Sequence, residues 1–274
     1  MMPKFQQDIY IPKFQNQDNY LSITPKLGFF TNNFPTLSFF SKLFFGPFIW
    51  LCRRAAKGLC DDYAWVYGSV WVSQLIEDTG CQIEINGLEY ITKVNGPCII
   101  IANHMSTLET FMLPGIIQPR KPVTFVVKKS LVTMPFFGAV MRSRNPVVVG
   151  RTNPKEDLLT VFEHGTKLLQ KGISIIIFPQ STRTLHFDPK HFNSIGVKLA
   201  KKANVPIIPL ALKTDAWGKG NKIKELGKVK IQPIRYQFSE PIYVENSGKE
   251  EHIKISNFIE KKLKEWQEKD GINE

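Results

Sequence analysis

Asn103-His104-Met105-Ser106-Thr107-Leu108-Glu109 follows directly on the apolar run Cys98–Ala102. A histidine at the end of a buried strand is well placed to face a cleft. A carboxylate five residues on can return to the imidazole if the chain turns into a helix between them. Glu109 would then hold the proton on one ring nitrogen and stabilise the imidazolium. The other nitrogen of His104 would be left to take a proton from a hydroxyl, which is the work of a general base. Taken alone, H-x4-E is a frequent spacing. Ser106 lies in the same turn, but no G-x-S-x-G marks it as a nucleophile, and the chain has no H-E-x-x-H. His186 and His191 flank Asp188 with no further ligand cluster, and Gly227-Lys228 is followed by Val, so neither a metal site nor a phosphate loop is expected.

A second polar loop follows another buried run, Ile175-Ile176-Ile177. In Phe178-Pro179-Gln180-Ser181-Thr182-Arg183-Thr184, the proline stops the strand and the small polar residues make a tight turn. Arg183 is thereby presented from a strand end, where its planar fork suits a phosphate. No acidic residue lies between Glu109 and Glu156, whereas Arg120, Lys121, Lys128, Lys129, Arg142, Arg144, Arg151 and Lys155 all do. A one-signed field beside His104 favours an anion-binding pocket or a membrane-facing rim.

These residues need elements to position them. Gln82–Asn86 alternates and ends in an Asn-Gly turn signal. Short buried-strand patterns follow at Cys98–Ala102, Val123–Val127, Pro146–Val149, Ser174–Phe178, Ile207–Ala211 and Lys228–Phe238, with helical compositions such as Lys155–Lys171 and Ser194–Ala203 between them. Strands alternating with helices imply an α/β domain with a mostly parallel sheet flanked by helices, whose chemistry gathers at the carboxyl ends of the strands. Residues 79–248 form that domain, and residues 249–274 a C-terminal amphipathic helix on or beside it, with Ile253, Phe258, Ile259, Leu263 and Trp266 on its apolar side.

Ahead of the domain, residues 1–33 read as a loose polar arm without signal-peptide order. Residues 34–78 read as a membrane-associated helical hairpin. Eight of the 20 phenylalanines fall between Phe29 and Phe48. The apolar run Thr36–Cys52 is interrupted by Gly46-Pro47 and followed at once by Arg53, Arg54 and Lys57. It is shorter than a bilayer span, so a helix lying in the interface fits it better. Tyr63, Trp65, Tyr67 and Trp71 of Asp61–Glu77 extend the aromatic character. A hairpin buried against the domain is the competing reading.

The 274 residues carry 36 Lys+Arg against 24 Asp+Glu, a net charge of +12, with 43% hydrophobic residues. That composition excludes a mostly disordered chain. The charge points to an anionic partner, whether nucleic acid, membrane surface or phosphorylated substrate. Cys52, Cys60, Cys81 and Cys98 form no C-x-x-C pair and suit a reducing compartment.

The ordered motifs resemble the glycerophosphate/lysophospholipid acyltransferase superfamily, particularly the bacterial 1-acyl-glycerol-3-phosphate acyltransferases. Four blocks between roughly residues 80 and 245 carry the resemblance. Asn103-His104 to Glu109 is similar to N-H-x4-D. Lys128-Lys129-Ser130-Leu131 leads through Pro135-Phe136-Phe137-Gly138 to Val149-Gly150-Arg151, where the family often ends in I-D-R. Phe178 to Thr184 resembles F-P-E-G-T-R-S, and Val205-Pro206-Ile207-Ile208-Pro209 resembles V-P-I-x-P. The resemblance implies that His104 deprotonates the free hydroxyl of a lysophospholipid, which attacks the thioester of acyl-CoA or acyl-carrier protein with no covalent acyl-enzyme. It implies that Glu109 orients His104, that Lys128, Arg151 and Arg183 bind the acceptor's phosphate, and that Asn103, Ser106, Pro179, Gln180, Ser181 and Thr182 support the motifs. It implies no cofactor and no metal, a membrane surface reached through residues 34–77, no nucleic acid, and a location on the cytoplasmic face of a membrane. Glu109 stands where Asp is usual, as in the similar lipid A acyltransferases. Gln180-Ser181 replaces Glu-Gly, Gly150 replaces Asp, and Asn193 stands where Lys is frequent. The loss of a carboxylate at 180 removes a possible partner for a ligand hydroxyl or for Arg183. Two alternatives remain beside a lysophosphatidic acid-like acceptor: a non-catalytic basic protein that binds membrane or lysolipid, and a late lipid A-type acyltransferase acting on another acceptor.

Overall fold

The computed structural model describes residues 13–14, 17–23, 25, 27–180, 182–221 and 223–271. Among them, eight strands form one sheet: β1 Asn19–Leu21, β2 Ile83–Asn86, β3 Ile99–Ala102, β4 Val123–Lys128, β5 Val147–Val149, β6 Ser174–Ile177, β7 Ile207–Lys213 and β8 Ile234–Phe238. Their order is β1-β2-β8-β7-β3-β6-β4-β5. Pairing is antiparallel at β1/β2 and β7/β8 and parallel elsewhere. The isoleucine runs dictate the centre. Ile99, Ile100, Ile175, Ile176, Ile207 and Ile208 are all fully buried, as strands covered on both faces require.

The helices are α1 Phe29–Asn33, α2 Pro35–Leu43, α3 Ile49–Ala56, α4 Asp62–Glu77, α5 Glu89–Lys93, α6 Leu108–Ile117, α7 Lys129–Thr133, α8 Phe137–Ser143, α9 Pro154–Gln170, α10 Ile195–Ala203 and α11 Lys249–Lys269. Caps mark several starts. Asp61 accepts the Ala64 amide ahead of α4, and Asn153 accepts the Lys155 amide ahead of α9, whose first residue is Pro154.

The structure revises several sequence expectations. The described part of residues 1–33 includes β1, which extends the sheet edge, and Phe14, which is buried with its ring edge-on to Tyr20 at 4.9 Å. The segment expected to form the hairpin holds a kinked helical run followed by α4. Pro35–Ala56 is one helical run of 22 residues, long and apolar enough by length and composition to cross a membrane. It is kinked at Gly46 (φ −101°, ψ −112°), just before Pro47, whose ring cannot continue a regular helix. Asp61–Glu77 is a core helix rather than an interfacial one: Trp65, Val72, Leu75 and Ile76 are buried. It packs closely on α6, where a side chain at Gly115 would meet Ser69 Oγ at 2.8 Å. That same hydroxyl accepts the Gly115 amide at 2.7 Å and donates to the Met112 carbonyl at 3.0 Å.

The last strand is shorter than Lys228–Phe238 because Pro233 offers no amide to a ladder; Val229 makes only a bridge with Trp217. On α11 the buried face is Ile255, Ile259, Leu263 and Trp266, while Ile253 is exposed. The helix is fastened by Asp270, which accepts two hydrogen bonds from the buried Arg235 at 2.7 and 2.8 Å.

Candidate active site

Strands β7, β3, β6, β4 and β5 are adjacent and parallel, so their carboxyl ends share one edge of the sheet. Four chain segments singled out by motif emerge there: His104 after β3, Gln180 to Arg183 after β6, Lys128 at the end of β4, and Arg151 after β5. Neighbouring strands lie about 4.8 Å apart, so the backbone at β5 is roughly 14 Å from that at β3.

The centre is the turn from β3 into α6. Asn103, buried, gives its amide to the Leu212 carbonyl at 2.8 Å and accepts the Leu212 N–H at 2.9 Å. Its side chain thus continues the β3–β7 ladder one step past the strand and fixes where the loop departs. Ser106 and Glu109 have the S-x-x-E spacing of a capping box. Glu109 accepts the Ser106 amide at 2.8 Å, and Ser106 Oγ accepts the Leu108 amide at 3.0 Å.

Glu109 Oε1 also accepts the Met105 amide at 2.7 Å and lies 2.8 Å from His104 Nδ1, while Thr214 Oγ1 donates to Oε2. Complete burial pushes the Glu109 carboxyl up, but the His104 ring, the Thr214 hydroxyl and the backbone amides outweigh it, and the net direction is below the ordinary 4.5. Glu109 is therefore an ionised acceptor. Nδ1 of His104 must carry the hydrogen between them, which makes Nε2 the basic nitrogen. The His104 ring is stacked on Phe178 at 4.4 Å and 18°, so its plane is fixed as well as its tautomer. Glu109 has no exposed surface and His104 is 17% exposed. This is an imidazole held from behind and only partly open to solvent.

The β6 loop is stitched onto this turn. Gln180, 4% exposed, accepts the His104 amide through Oε1 at 2.5 Å and donates through Nε2 to Thr184 Oγ1 at 2.7 Å. The Thr184 amide donates to the His104 carbonyl at 3.0 Å. Gln180 is thus a brace between the two loops, with both ends of its amide engaged by protein groups. The acceptor lost with the carboxylate is supplied elsewhere, because Arg183 pairs with Glu225 at 2.9 Å and also donates to Thr107 Oγ1, within the turn. Pro179 is buried, and its carbonyl accepts from the Asn193 side chain. Thr182 is exposed. Ser181 lies outside the described residues.

His104, Glu109, Asn103, Ser106, Gln180 and Arg183 are therefore brought together. Lys128 is exposed at the end of β4, and Arg151, with φ +62°, sits on a turn whose Gly150 and Arg151 amides donate to Asp157 at 2.7 and 2.8 Å. Both share the sheet edge without touching the His–Glu pair. The acid-free interval is less of a field than its charge count implies. Lys121 is buried and donates to the Val94 and Gly96 carbonyls. Arg120 donates to the carbonyls of Ile116, Phe14 and Gln17. Arg144 pairs with Asp62 and stacks over Trp65 at 5.2 Å. Those three cations hold the fold together.

Thr214, Thr107 and Glu225 were missed from sequence. Thr214 had one signal: it directly follows a buried strand, as His104 and the Phe178 loop do. Among the described residues no group of three or more His, Cys, Asp or Glu could hold a metal ion. Burial pushes the Cys98 thiol up to about 11, which removes it as a nucleophile.

Part of the chain is similar to known acyltransferases. Residues 82–213, just under half of the chain, match the Acyltransferase family model. A 1-acyl-sn-glycerol-3-phosphate acyltransferase of Pseudomonas aeruginosa is 32% identical over 168 residues, covering 61% of this chain and 63% of the relative. The enzyme of the same name from Escherichia coli is 31% identical over 156 residues, covering 57% and 61%. Both matches span under two thirds of the relative's own length. The crystal structure of the 1-acyl-sn-glycerophosphate (LPA) acyltransferase PlsC from Thermotoga maritima shares the fold, with a TM-score of 0.66 at 18% identity over 86% of this chain and 96% of that one.

Proposed function

We propose, from the premise that residues 82–213 form an Acyltransferase-family domain, that this chain moves a fatty acyl group from a thioester donor to the free hydroxyl of a lysophospholipid at a membrane surface. The observation that carries the reading is the buried, ionised Glu109 on His104 Nδ1. It leaves Nε2 to act on a hydroxyl, and no nucleophilic side chain is required.

In this reading Nε2 takes the hydroxyl proton as the oxygen attacks the thioester carbonyl. The imidazolium, stabilised by Glu109, then returns the proton to the departing sulfur as the C–S bond breaks. The products are the diacyl lipid and the free thiol of acyl-CoA or acyl-carrier protein, and no cofactor enters. Arg183 takes the acceptor's phosphate beside the turn, and Lys128 and Arg151 line the same sheet edge beyond it. The related names favour a lysophosphatidic acid-like acceptor. The kinked Pro35–Ala56 run serves as an interfacial anchor, because Phe39 and Leu43 are buried in the fold while Leu37, Phe44 and Phe45, with Phe34 just ahead of the run, are exposed. In this reading the reaction takes place on the cytoplasmic face, where the released thiol stays reduced.

A donor-by-acceptor screen on liposomes, read by mass spectrometry of the products, tests the activity. The expected product is phosphatidic acid from lysophosphatidic acid. No acyl transfer from either thioester to any lysolipid overturns the reading.

Arg183→Lys tests the phosphate contact. Lysine keeps the charge but cannot hold Thr107, Glu225 and a phosphate in one planar fork. The KM for a phosphate-bearing acceptor should rise about tenfold, as for one charge-assisted hydrogen bond. The KM for the thioester should stay within about twofold.

A further inference from the structure

The corner between α7 and α8 has an unusual backbone. Phe136 has φ +62° and ψ −64°, and the Phe137 amide donates across it to the Pro135 carbonyl at 2.7 Å. This is the positive-φ γ-turn, rare and strained for any residue with a side chain. The strain aims the ring outward: Phe136 is 81% exposed, and Met134 beside it is 40% exposed. Nothing in the core uses either tip. The next residue is the opposite case. The Phe137 ring stacks on Phe48 at 5.7 Å and 11°, and Phe48 stacks on Phe44 at 5.7 Å and 20°. The turn is therefore bolted to the kink of the Pro35–Ala56 run, whose own tip, Phe45, is 77% exposed.

Two corners, about 90 residues apart in sequence and joined through the Phe137–Phe48–Phe44 stack, thus each carry an exposed aromatic ring. Their surroundings are positive. Lys128 and Lys129 stand at the start of α7 and Arg142 near the end of α8, all exposed. Projecting rings with lysines at their base match a leaflet: aromatic tips enter the acyl boundary while the cations meet anionic headgroups.

We propose that the Met134–Phe137 turn is a bilayer-inserting wedge which, with Phe45, docks the sheet edge onto a leaflet containing anionic lipid. The inference rests on the membrane-surface reading above and adds a contact from inside the catalytic domain. It gives the strained, outward-facing Phe136 a role that core packing does not. It also gives Lys128 a second setting, at headgroup height beside the wedge.

Vesicle flotation of the full chain, with neither donor nor acceptor added, tests this separately from turnover. Phe136→Ser should lower partitioning onto phosphatidylglycerol/phosphatidylcholine vesicles about tenfold, as expected for loss of one interfacial aromatic ring. Phe136→Gly should lower it equally while leaving the melting temperature the same or higher, because glycine accepts φ +62° without strain. Lys129→Gln should lower binding about fivefold on the anionic vesicles and leave binding to pure phosphatidylcholine unchanged. Turnover of detergent-dispersed acceptor by Phe136→Gly should stay within twofold of the unsubstituted chain. Vesicle binding by Phe136→Ser within twofold of the unsubstituted chain overturns the wedge, as does failure of the unsubstituted chain to float with anionic vesicles. Absence of turnover in every variant would strike the acyltransferase reading and leave the flotation result standing.

Discussion

Asparagine at position 104 should lower kcat/KM for acyl transfer about 10^3-fold, the usual cost of removing a positioned general base. The choice of residue matters because of what lies behind the ring. Glu109 is completely buried, and His104 Nδ1 at 2.8 Å is one of its five donors. Alanine would remove that donor together with the base, leaving the buried carboxylate short of a hydrogen bond at a cost of roughly 1–3 kcal/mol. An asparagine amide can still donate to Oε1 but cannot take a proton from a hydroxyl. Steady-state release of free thiol from the donor, read beside thermal unfolding, separates the two effects. The expected pattern is a large loss of turnover in both variants, with a lowered melting temperature only in His104→Ala. Turnover within tenfold of the unsubstituted chain in His104→Asn would remove His104 from the reaction.

Glu109 should show the larger effect on stability. Alanine there strands the amides of Met105 and Ser106, the Thr214 hydroxyl and the His104 ring proton, all of which now point at one carboxylate. Breaking a buried ionic cluster of this kind costs about 3–5 kcal/mol, and urea unfolding should report it directly. Glutamine is milder. Its carbonyl can replace Oε1 toward the ring and the two amides, and its NH2 can face Ser106 Oγ and Thr214 Oγ1 if those hydroxyls turn to accept. Glu109→Gln should therefore stay folded yet lose turnover by about 10^2 to 10^3, because the imidazolium formed during reaction no longer meets a negative charge.

The two forms should also differ in acid. The Glu109 carboxyl lies below its ordinary 4.5 when folded. Its contribution is thus complete above that value and is lost as the pH falls through the lower folded value. Stability of the unsubstituted chain should drop across that window. Stability of Glu109→Gln should drop less, and equal acid slopes would show that this carboxyl is not the group responsible.

Much of the site could be read from the sequence because its chemistry is local. His104, Ser106 and Glu109 fall within one turn, so spacing alone brings imidazole, capping hydroxyl and carboxylate together once α6 begins. The isoleucine runs before His104 and Phe178 could be read for the same reason: a short, wholly apolar stretch ended by polar residues is a buried strand delivering a loop. From two such runs follow a parallel sheet and a candidate site at its carboxyl edge.

Contacts between distant segments had no such signal. Thr214 meets Glu109 across 105 positions, and Gln180 meets the His104 amide across 76. Both depend on β7 and β6 lying on either side of β3, an order that periodicity does not encode. Gln180 looked like a lost ligand group until the strand order made it a brace. The same holds for charge: Arg144 and Lys121 count equally with Lys128 and Lys129 along the chain, yet only folding turns the first two inward onto Asp62 and backbone carbonyls. It also turned Trp65 into the core and left Phe136 outside. The sequence by itself determined the composition of the His104 turn, the α/β rhythm and the basic, aromatic character of the chain, because each is settled by neighbours within a few residues. Tertiary structure alone decided which cations remain free, which aromatic rings face solvent and which side chains hold Glu109 ionised. Those outcomes follow from burial and pairing between segments that only the closed sheet brings within hydrogen-bonding distance.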